Sequence, residues 1–172
     1  TPIVGSHNDE SVMVQAASEV DVVIAMADCD DLVAANLTLK GLRKRSKQTG
    51  KLPIFINTSG TGVLMDDAKG MYASKTIYND EDVAQMESIP PSQPHRHVDL
   101  AIVAADKEGY IKSYIILPST IYSIARGKLF DAGISHPYSQ QIPGLIKLSI
   151  HRGQAGMVGE GKNIWPNVDI HD

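Results

Sequence analysis

His95 and Asp99 are the residues whose types and spacing point most directly to acid–base chemistry. They are four positions apart, and residues at i and i+4 lie on one face of a helix. A histidine oriented by a carboxylate can accept or release a proton near neutral pH. The alternative is structural, with His95 as a solvated residue that follows Pro94 at the start of a helix. Both interpretations stay open at this point.

Two further candidates are discounted from the sequence. Cys29 follows an apolar segment, and we interpret it as a small packed residue rather than a nucleophile. His95 and His97 have the alternating spacing of a strand, whereas this region has a helical pattern, and no third ligand stands near them in the sequence. We therefore do not expect a metal site from this pair.

Composition excludes several classes of function. The chain has 172 residues, a formal net charge of -4, one cysteine and 5% aromatic residues. This charge disfavours binding to nucleic acid, and the few aromatic side chains argue against a base-stacking surface. A disulfide framework needs more than one cysteine, and no apolar run approaches the ~20 residues of a membrane span. We expect one soluble cytoplasmic domain that binds neither nucleic acid nor membrane.

Short apolar runs alternate with amphipathic stretches, which is typical of βαβ units and a mostly parallel sheet. Strands are predicted at residues 3–4 (the tail of one), 21–27, 52–57 and 110–117. Helices are predicted from Asn8 or Asp9 to about residue 19, after Asp30 or Asp31, around residues 81–86, around residues 98–105, and from Pro143. Residues 119–139 are predicted to form a long loop. The fold class is therefore α/β, with helices expected on both faces of the sheet.

The carboxyl ends of the predicted strands are rich in small and hydroxyl-bearing residues. The segments concerned are residues 25–28, 57–61 and 118–122. In doubly wound sheets, ligands bind at the carboxyl ends of the strands. These segments predict a crevice for a nucleotide.

Five segments in order resemble the landmarks of the extended short-chain dehydrogenases/reductases, including their atypical, NmrA-like relatives. They are IVGSHND, DVVIAMAD, IFINTSGTG, IILPSTIYS and WPNVDIHD. The resemblance covers nearly the whole chain. It implies a Rossmann-type sheet, bound NAD or NADP, and hydride transfer with a small carbonyl or sugar-nucleotide substrate.

The resemblance also implies roles for residues at the strand ends. Cofactor-binding roles fall to Ser6, to Ala25, Met26 and Ala27, to Thr58, and to Pro118, Ser119 and Thr120. By this resemblance Ser6 would lie beside the adenine. Residues 25–27 would lie beside the ribose and nicotinamide, and residues 118–120 would lie near the carboxamide. Ser59 matches the place of the family's catalytic serine or threonine. His95 and Asp99 occupy the place expected for its Tyr-x-x-x-Lys pair.

Two departures from the family pattern are visible. No glycine-rich pyrophosphate turn opens the chain, and from the resemblance we expect the family's first two βα units to be absent from it. The nearest match to the Tyr-x-x-x-Lys pair is Tyr72 and Lys75, one residue short of the required spacing. We therefore expect an incomplete Rossmann-type domain over residues 1–172, with residues 140–172 leading towards a substrate-binding portion.

The leading hypothesis is an NAD(P)-dependent oxidoreductase or epimerase with a small-molecule substrate. The alternative is a non-catalytic NAD(P)-binding regulator or interaction protein. A homodimer is a possible assembly in either case.

Overall fold

The computed structural model describes all residues 1–172, and the chain divides into two compact units. The first unit comprises Thr1–Val63 and Ala84–Leu117, and the second comprises Leu64–Val83 and Pro118–Asp172. The single domain expected from the sequence stays a prediction.

Most helices and strands of the chain precede residue 117. In chain order they are α1 (Glu10–Ser18), β1 (Val22–Ala25), α2 (Leu32–Thr49), β2 (Ile54–Thr58), a 3-10 helix (Thr61–Leu64), α3 (Val83–Glu87), α4 (Arg96–Lys107) and β3 (Lys112–Ile116). The remaining elements are β4 (Thr120–Tyr122), α5 (Lys128–Asp131), α6 (Gln141–Arg152) and β5 (Asn167–Asp169).

Local side-chain chemistry sets the ends of α1 and α2. The Asp9 carboxylate accepts a hydrogen bond from the Val12 backbone N–H, and the Asp31 carboxylate accepts one from Ala34 at 2.9 Å. These caps satisfy backbone donors that a helix cannot pair internally. Gly50 ends α2 with a φ of 67°, a left-handed conformation that glycine adopts without strain.

The first unit contains a parallel three-stranded sheet in the order β1-β2-β3. In its register, Ile56 of β2 lies between Ile24 of β1 and Tyr114 of β3. The prediction of a mostly parallel α/β sheet is confirmed here. Because all three strands run in the same direction, their carboxyl ends meet at one edge of the sheet.

The hydrophobic core lies on one face of this sheet. Phe55 is buried there with residues of α2 and α4 such as Leu42 and Ile102, while Val23, Ala25 and Ile115 pack against the same cluster. The side chains on the opposite face are largely exposed, with Ile24 at 59% and Ile116 at 52%. The prediction of helices on both faces is therefore wrong for this unit, because no helix of the unit covers the second face.

The second unit departs further from the sequence-based prediction. β4 pairs with β5 in parallel, with Ile121 opposite Val168. Residues 119–139 are thus not one long loop, because they include β4 and α5. α6 begins at Gln141, so Pro143 occupies the third helical position instead of the first.

At the start of the chain, the strand predicted at residues 3–4 does not form, and Val4 is 95% exposed. None of the helices combines the length and apolar character that crossing a membrane would require.

Candidate functional site

A cavity of about 250 Å³ lies at the carboxyl ends of β1 and β2 in the first unit. The residues predicted from the strand ends contribute Ala25, Met26, Ala27 and Thr58 to its lining. The parallel register brings them together, because Ala25 lies directly opposite Asn57. Four of the predicted cofactor-binding residues therefore share one cavity.

Asn57 is a further lining residue of this cavity, which we call the strand-end cavity. Its side chain is only 4% exposed, and its amide Nδ2 has no hydrogen-bond partner. A buried donor without a partner costs about 1–3 kcal/mol. A ligand with a carbonyl or ring-nitrogen acceptor in the cavity could accept this hydrogen bond and remove that cost.

Two carboxylates, Asp28 and Asp31, line the cavity and affect which ligand groups it can bind. No lysine or arginine lines it. Carboxylates repel a phosphate and accept hydrogen bonds from hydroxyl groups. The lining therefore suits the base or ribose of a nucleotide rather than its pyrophosphate.

Ser59 and Asp99, both predicted as catalytic, are bonded to each other. The Ser59 hydroxyl donates to Asp99 Oδ2 at 3.1 Å, and Asp99 is only 2% exposed. The second carboxylate oxygen, Oδ1, has no partner. Burial raises the pKa of Asp99, against the opposing effect of the Ser59 hydrogen bond. The structure thus places this pair inside the protein, at the start of α4.

His95 is oriented by a carboxylate, but not by the one that the spacing predicts. Its Nδ1 lies 2.9 Å from Asp30 Oδ1 and 3.2 Å from Cys29 Sγ. The expected pairing with Asp99 is not formed because His95 caps α4 from a left-handed conformation, with φ at 65°. At that backbone geometry the side chain no longer follows the helical i, i+4 alignment.

Two glycines after β2, Gly60 and Gly62, lie close to the His95 ring. A Cβ at Gly62 would lie 2.9 Å from His95 Nε2, and one at Gly60 would lie 3.3 Å from the same atom. His97 makes a second contact with the loop that follows β1, since its Nε2 lies 3.1 Å from the Asp30 backbone oxygen. His95 and His97 therefore both contact Asp30.

Cys29 is half-buried and its thiol contacts His95. Burial raises the pKa of this thiol, and the nearby carboxylate of Asp30 raises it further. A nucleophilic cysteine needs the opposite shift. That Cys29 is not a nucleophile stays a prediction.

The remaining predicted cofactor residues lie elsewhere. Ser6 forms the turn before α1, where its hydroxyl accepts from the Asn8 N–H at 3.3 Å. Pro118, Ser119 and Thr120 belong to the second unit. The Thr120 hydroxyl donates to Gln141 and accepts from Trp165 Nε1 at 2.9 Å, so both of its roles are used within that unit.

The second unit has a cavity of its own, of about 390 Å³, to which Ser119 contributes. Phe130 and His136 also line it. Tyr72 and Lys75, the discounted catalytic pair, lie in irregular chain of this unit, and Tyr72 is exposed.

The sequence analysis gave no site role to His7 or Asp30, and it included Asn57 only as part of the strand-end segment 57–61. His7 and Asn57 line the strand-end cavity. A signal for Asn57 was present, because alternation along β2 places it on the same face as Phe55, at the carboxyl end of the strand. A signal for Asp30 was its place in the loop that follows β1, which meets the loop after β2 at one edge of the sheet.

Comparison with known proteins finds one distant relative. The chain is 24% identical over 173 residues to a protein named oxidase ucsJ from Acremonium sp, an alignment that covers 98% of this chain and 48% of that protein. The chain thus spans about half the length of the curated relative it matches. No family model matches the chain.

Proposed function

We propose that this protein is an oxidoreductase that binds NAD or NADP, with the nucleoside portion of the cofactor in the strand-end cavity. The observation that carries the proposal is the convergence of Ala25, Ala27, Thr58 and the unpartnered Asn57 amide around one cavity. In parallel α/β sheets, nucleotide cofactors bind at this edge. The name of the distant relative, an oxidase, supports the reaction class.

The size and lining of the cavity fit part of a dinucleotide. A volume of about 250 Å³ is slightly below the ~300–1,000 Å³ of a typical small-molecule site, so it accommodates a ring system rather than the whole cofactor. Small side chains such as Ala25 and Ala34 leave space for a flat ring. Asp28 and Asp31 can accept hydrogen bonds from ribose hydroxyl groups.

Hydride exchange would be supplied by the bound nicotinamide, and the chain would supply the proton transfer. His95 is the predicted acid–base group, because its imidazole is paired with the Asp30 carboxylate and its side chain is 23% exposed. Ser59 and Asp99 have less access to a substrate, because both are buried. We propose a small carbonyl compound or sugar nucleotide as the substrate class.

A titration of the full-length protein with NAD⁺ and NADP⁺ in a calorimeter tests the proposal. Ala27 lines the cavity and is exposed, so Ala27→Trp would fill the cavity from its rim. Ala104, on the exposed side of α4, does not line it. We expect Ala27→Trp to weaken binding by about tenfold or more and Ala104→Trp to leave it unchanged. Absence of heat with both cofactors in the wild-type protein would refute the proposal.

One observation favours the second candidate, a non-catalytic NAD(P)-binding regulator. The Ser59 hydroxyl donates its hydrogen bond to Asp99 Oδ2 inside the protein, and both residues are buried away from solvent. Under this alternative the protein would bind the cofactor but turn over none of a panel of carbonyl compounds and sugar nucleotides. Turnover that is lost in Ser59→Ala would exclude it.

A further inference from the structure

Three side chains of different chemistry converge beside the loop after β2. They are the Cys29 thiol, the Asp30 carboxylate and the His95 imidazole, and their donor atoms Sγ, Oδ and Nδ1 lie within 4.8 Å of one another. The three residues are contributed by two loops that are 66 positions apart in the sequence. The proposed dinucleotide chemistry uses the pairing of His95 with Asp30 but assigns no role to the Cys29 thiol.

We propose that Cys29, Asp30 and His95 form a binding site for Zn²⁺, with a fourth position left open to solvent or to an exogenous ligand. Sulfur, imidazole nitrogen and carboxylate oxygen are the three donor types that bind zinc in proteins. Three protein ligands and one open position are typical of zinc sites that activate water or a substrate oxygen.

The distances between the donors fit this coordination. Tetrahedral zinc at ~2.3 Å from sulfur and ~2.0 Å from nitrogen and oxygen places sulfur and nitrogen ~3.6 Å apart, and nitrogen and oxygen ~3.3 Å apart. The Cys29–His95 and His95–Asp30 distances are 3.2 and 2.9 Å. Movements of a few tenths of an ångström would therefore bring these two pairs of donors to their metal-binding separations, and the Cys29 and Asp30 donors lie within 4.8 Å of each other.

One hydrogen bond at His95 Nδ1 cannot satisfy both of its neighbours in this cluster. His95 Nδ1 can carry only one proton, yet both the Asp30 carboxylate and the Cys29 sulfur lie within hydrogen-bonding distance of it. A divalent cation could bind a lone pair from each of the three donors at once. On binding, the Cys29 S–H bond breaks, its electron pair becomes the bond to zinc, and the proton passes to solvent.

The surroundings would hold the ligands in place. Asp30 is fixed by His97, whose Nε2 contacts its backbone oxygen, and by the Asp28 carboxylate, which accepts from its backbone N–H at 2.9 Å. His95 is confined by Gly60 and Gly62. Such supporting contacts set the orientation of metal ligands.

The metal site is separate from the strand-end cavity, because none of its three donors lines that cavity. It would also give His95 a role different from the predicted proton transfer, since Nδ1 would bind the metal. Failure of the metal proposal therefore leaves the cofactor proposal intact, whereas zinc bound at His95 would leave the cofactor cavity unchanged and remove His95 as the acid–base group.

Binding can be measured on the full-length protein after treatment with a chelator. We expect one equivalent of Zn²⁺ to bind in calorimetry. Co²⁺ at the same site would produce a thiolate-to-cobalt charge-transfer band in the near ultraviolet and the strong visible absorption of four-coordinate cobalt. Cys29→Ser should abolish the charge-transfer band, and His95→Ala should weaken binding of Zn²⁺ by at least about tenfold.

His151→Ala is the matched control, because His151 lies exposed on α6 in the other unit. It should bind Zn²⁺ as the wild-type protein does. Circular dichroism would verify that each variant is folded. If His95→Ala fails to fold, Cys29→Ser and the wild-type cobalt spectrum decide the question. Less than one equivalent of zinc, a cobalt spectrum without a thiolate band, or unchanged binding in Cys29→Ser would overturn the proposal.

Discussion

The two units differ in how they use their apolar side chains. In the first unit, nine buried residues of α1, α2, α4, β2 and the position before β3 form one hydrophobic cluster. In the second, the buried hydrophobic side chains are Ala68 and Ala125, and no residue of α6 is buried. Accurate placement of functional groups needs a packed support. This difference is why we place both proposed sites in the first unit.

The largest expected effect comes from equivalent truncations in the two units. Leu42 on α2 is fully buried, whereas Leu145 on α6 is 55% exposed. Leu42→Ala should lower the free energy of unfolding by about 2–5 kcal/mol, because it removes buried methyl groups and leaves a cavity. Leu145→Ala should change it by no more than about 0.5 kcal/mol. Urea denaturation of both variants measures the two changes in the free energy of unfolding. Equal losses would contradict the difference between the two units.

A pair of glycine substitutions sharpens the same contrast. A Cβ at Gly41 in α2 would lie 2.6 Å from Ala17 Cβ and 2.7 Å from the Val14 oxygen of α1. We expect Gly41→Ala to destabilise the protein by about 1–3 kcal/mol, because α1 must move away.

Gly144 in α6 is the control, because a Cβ there meets nothing within 4 Å. Gly144→Ala should stabilise α6 by up to about 1 kcal/mol through its better helix propensity. Thermal denaturation distinguishes the two signs. Stabilisation in Gly41→Ala would show that the approach of α1 to α2 is looser than described.

A smaller effect is expected at the helix caps. Asp31 caps α2 through the Ala34 N–H, while Gln140 precedes α6 without a side-chain cap. Asp31→Ala should cost about 1 kcal/mol of stability, since it leaves that N–H without its partner. Gln140→Ala should have no measurable effect on chemical denaturation. Similar costs at the two positions would remove this distinction between the helices.

The smallest effect is a dependence on pH at the start of α1. The Ser11 hydroxyl and the Val12 N–H hold the pKa of Asp9 below its ordinary value of 3.8. Because the folded state favours the ionised form, this stabilisation is present above the ordinary pKa and is lost as pH falls through the lowered one.

Asp9→Asn should therefore be less stable than the wild-type protein at neutral pH, and the difference should shrink in acid. Tm values measured from neutral pH down to below the ordinary pKa of Asp9 provide the test. A difference that stays constant over that range would show that the charge of Asp9 contributes nothing.

The sequence predicts the elements of the first unit better than those of the second unit. The stripe of Leu32, Ala35, Leu39 and Leu42 predicts α2, and the structure buries all of these except Leu32 in the first turn. β4 and β5 could not be predicted in this way. They are three residues each and pair across 47 positions, as in Thr120 with Asn167, so neither local periodicity nor turn residues indicate the pairing.

The candidate site was partly predictable. Alternation and strand order were sufficient to bring Ala25, Ala27 and Thr58 to one edge. The hydrogen-bond partner of His95 could not be predicted, because a left-handed backbone at His95 directs its ring towards Cys29 and Asp30 instead of Asp99. Non-glycine residues adopt that conformation rarely, so helical spacing gives the wrong partner.

Hydrogen–deuterium exchange of the full-length protein, with and without NADH or NADPH, tests the proposed cofactor site most directly. Bound cofactor should slow exchange at the backbone amides of residues 25–28 and 57–60, where the strand ends line the cavity. Amides of α6 should exchange at the same rate in both samples. Unchanged exchange at residues 25–28 and 57–60 with saturating amounts of either nucleotide would contradict the assignment of this edge as the dinucleotide site.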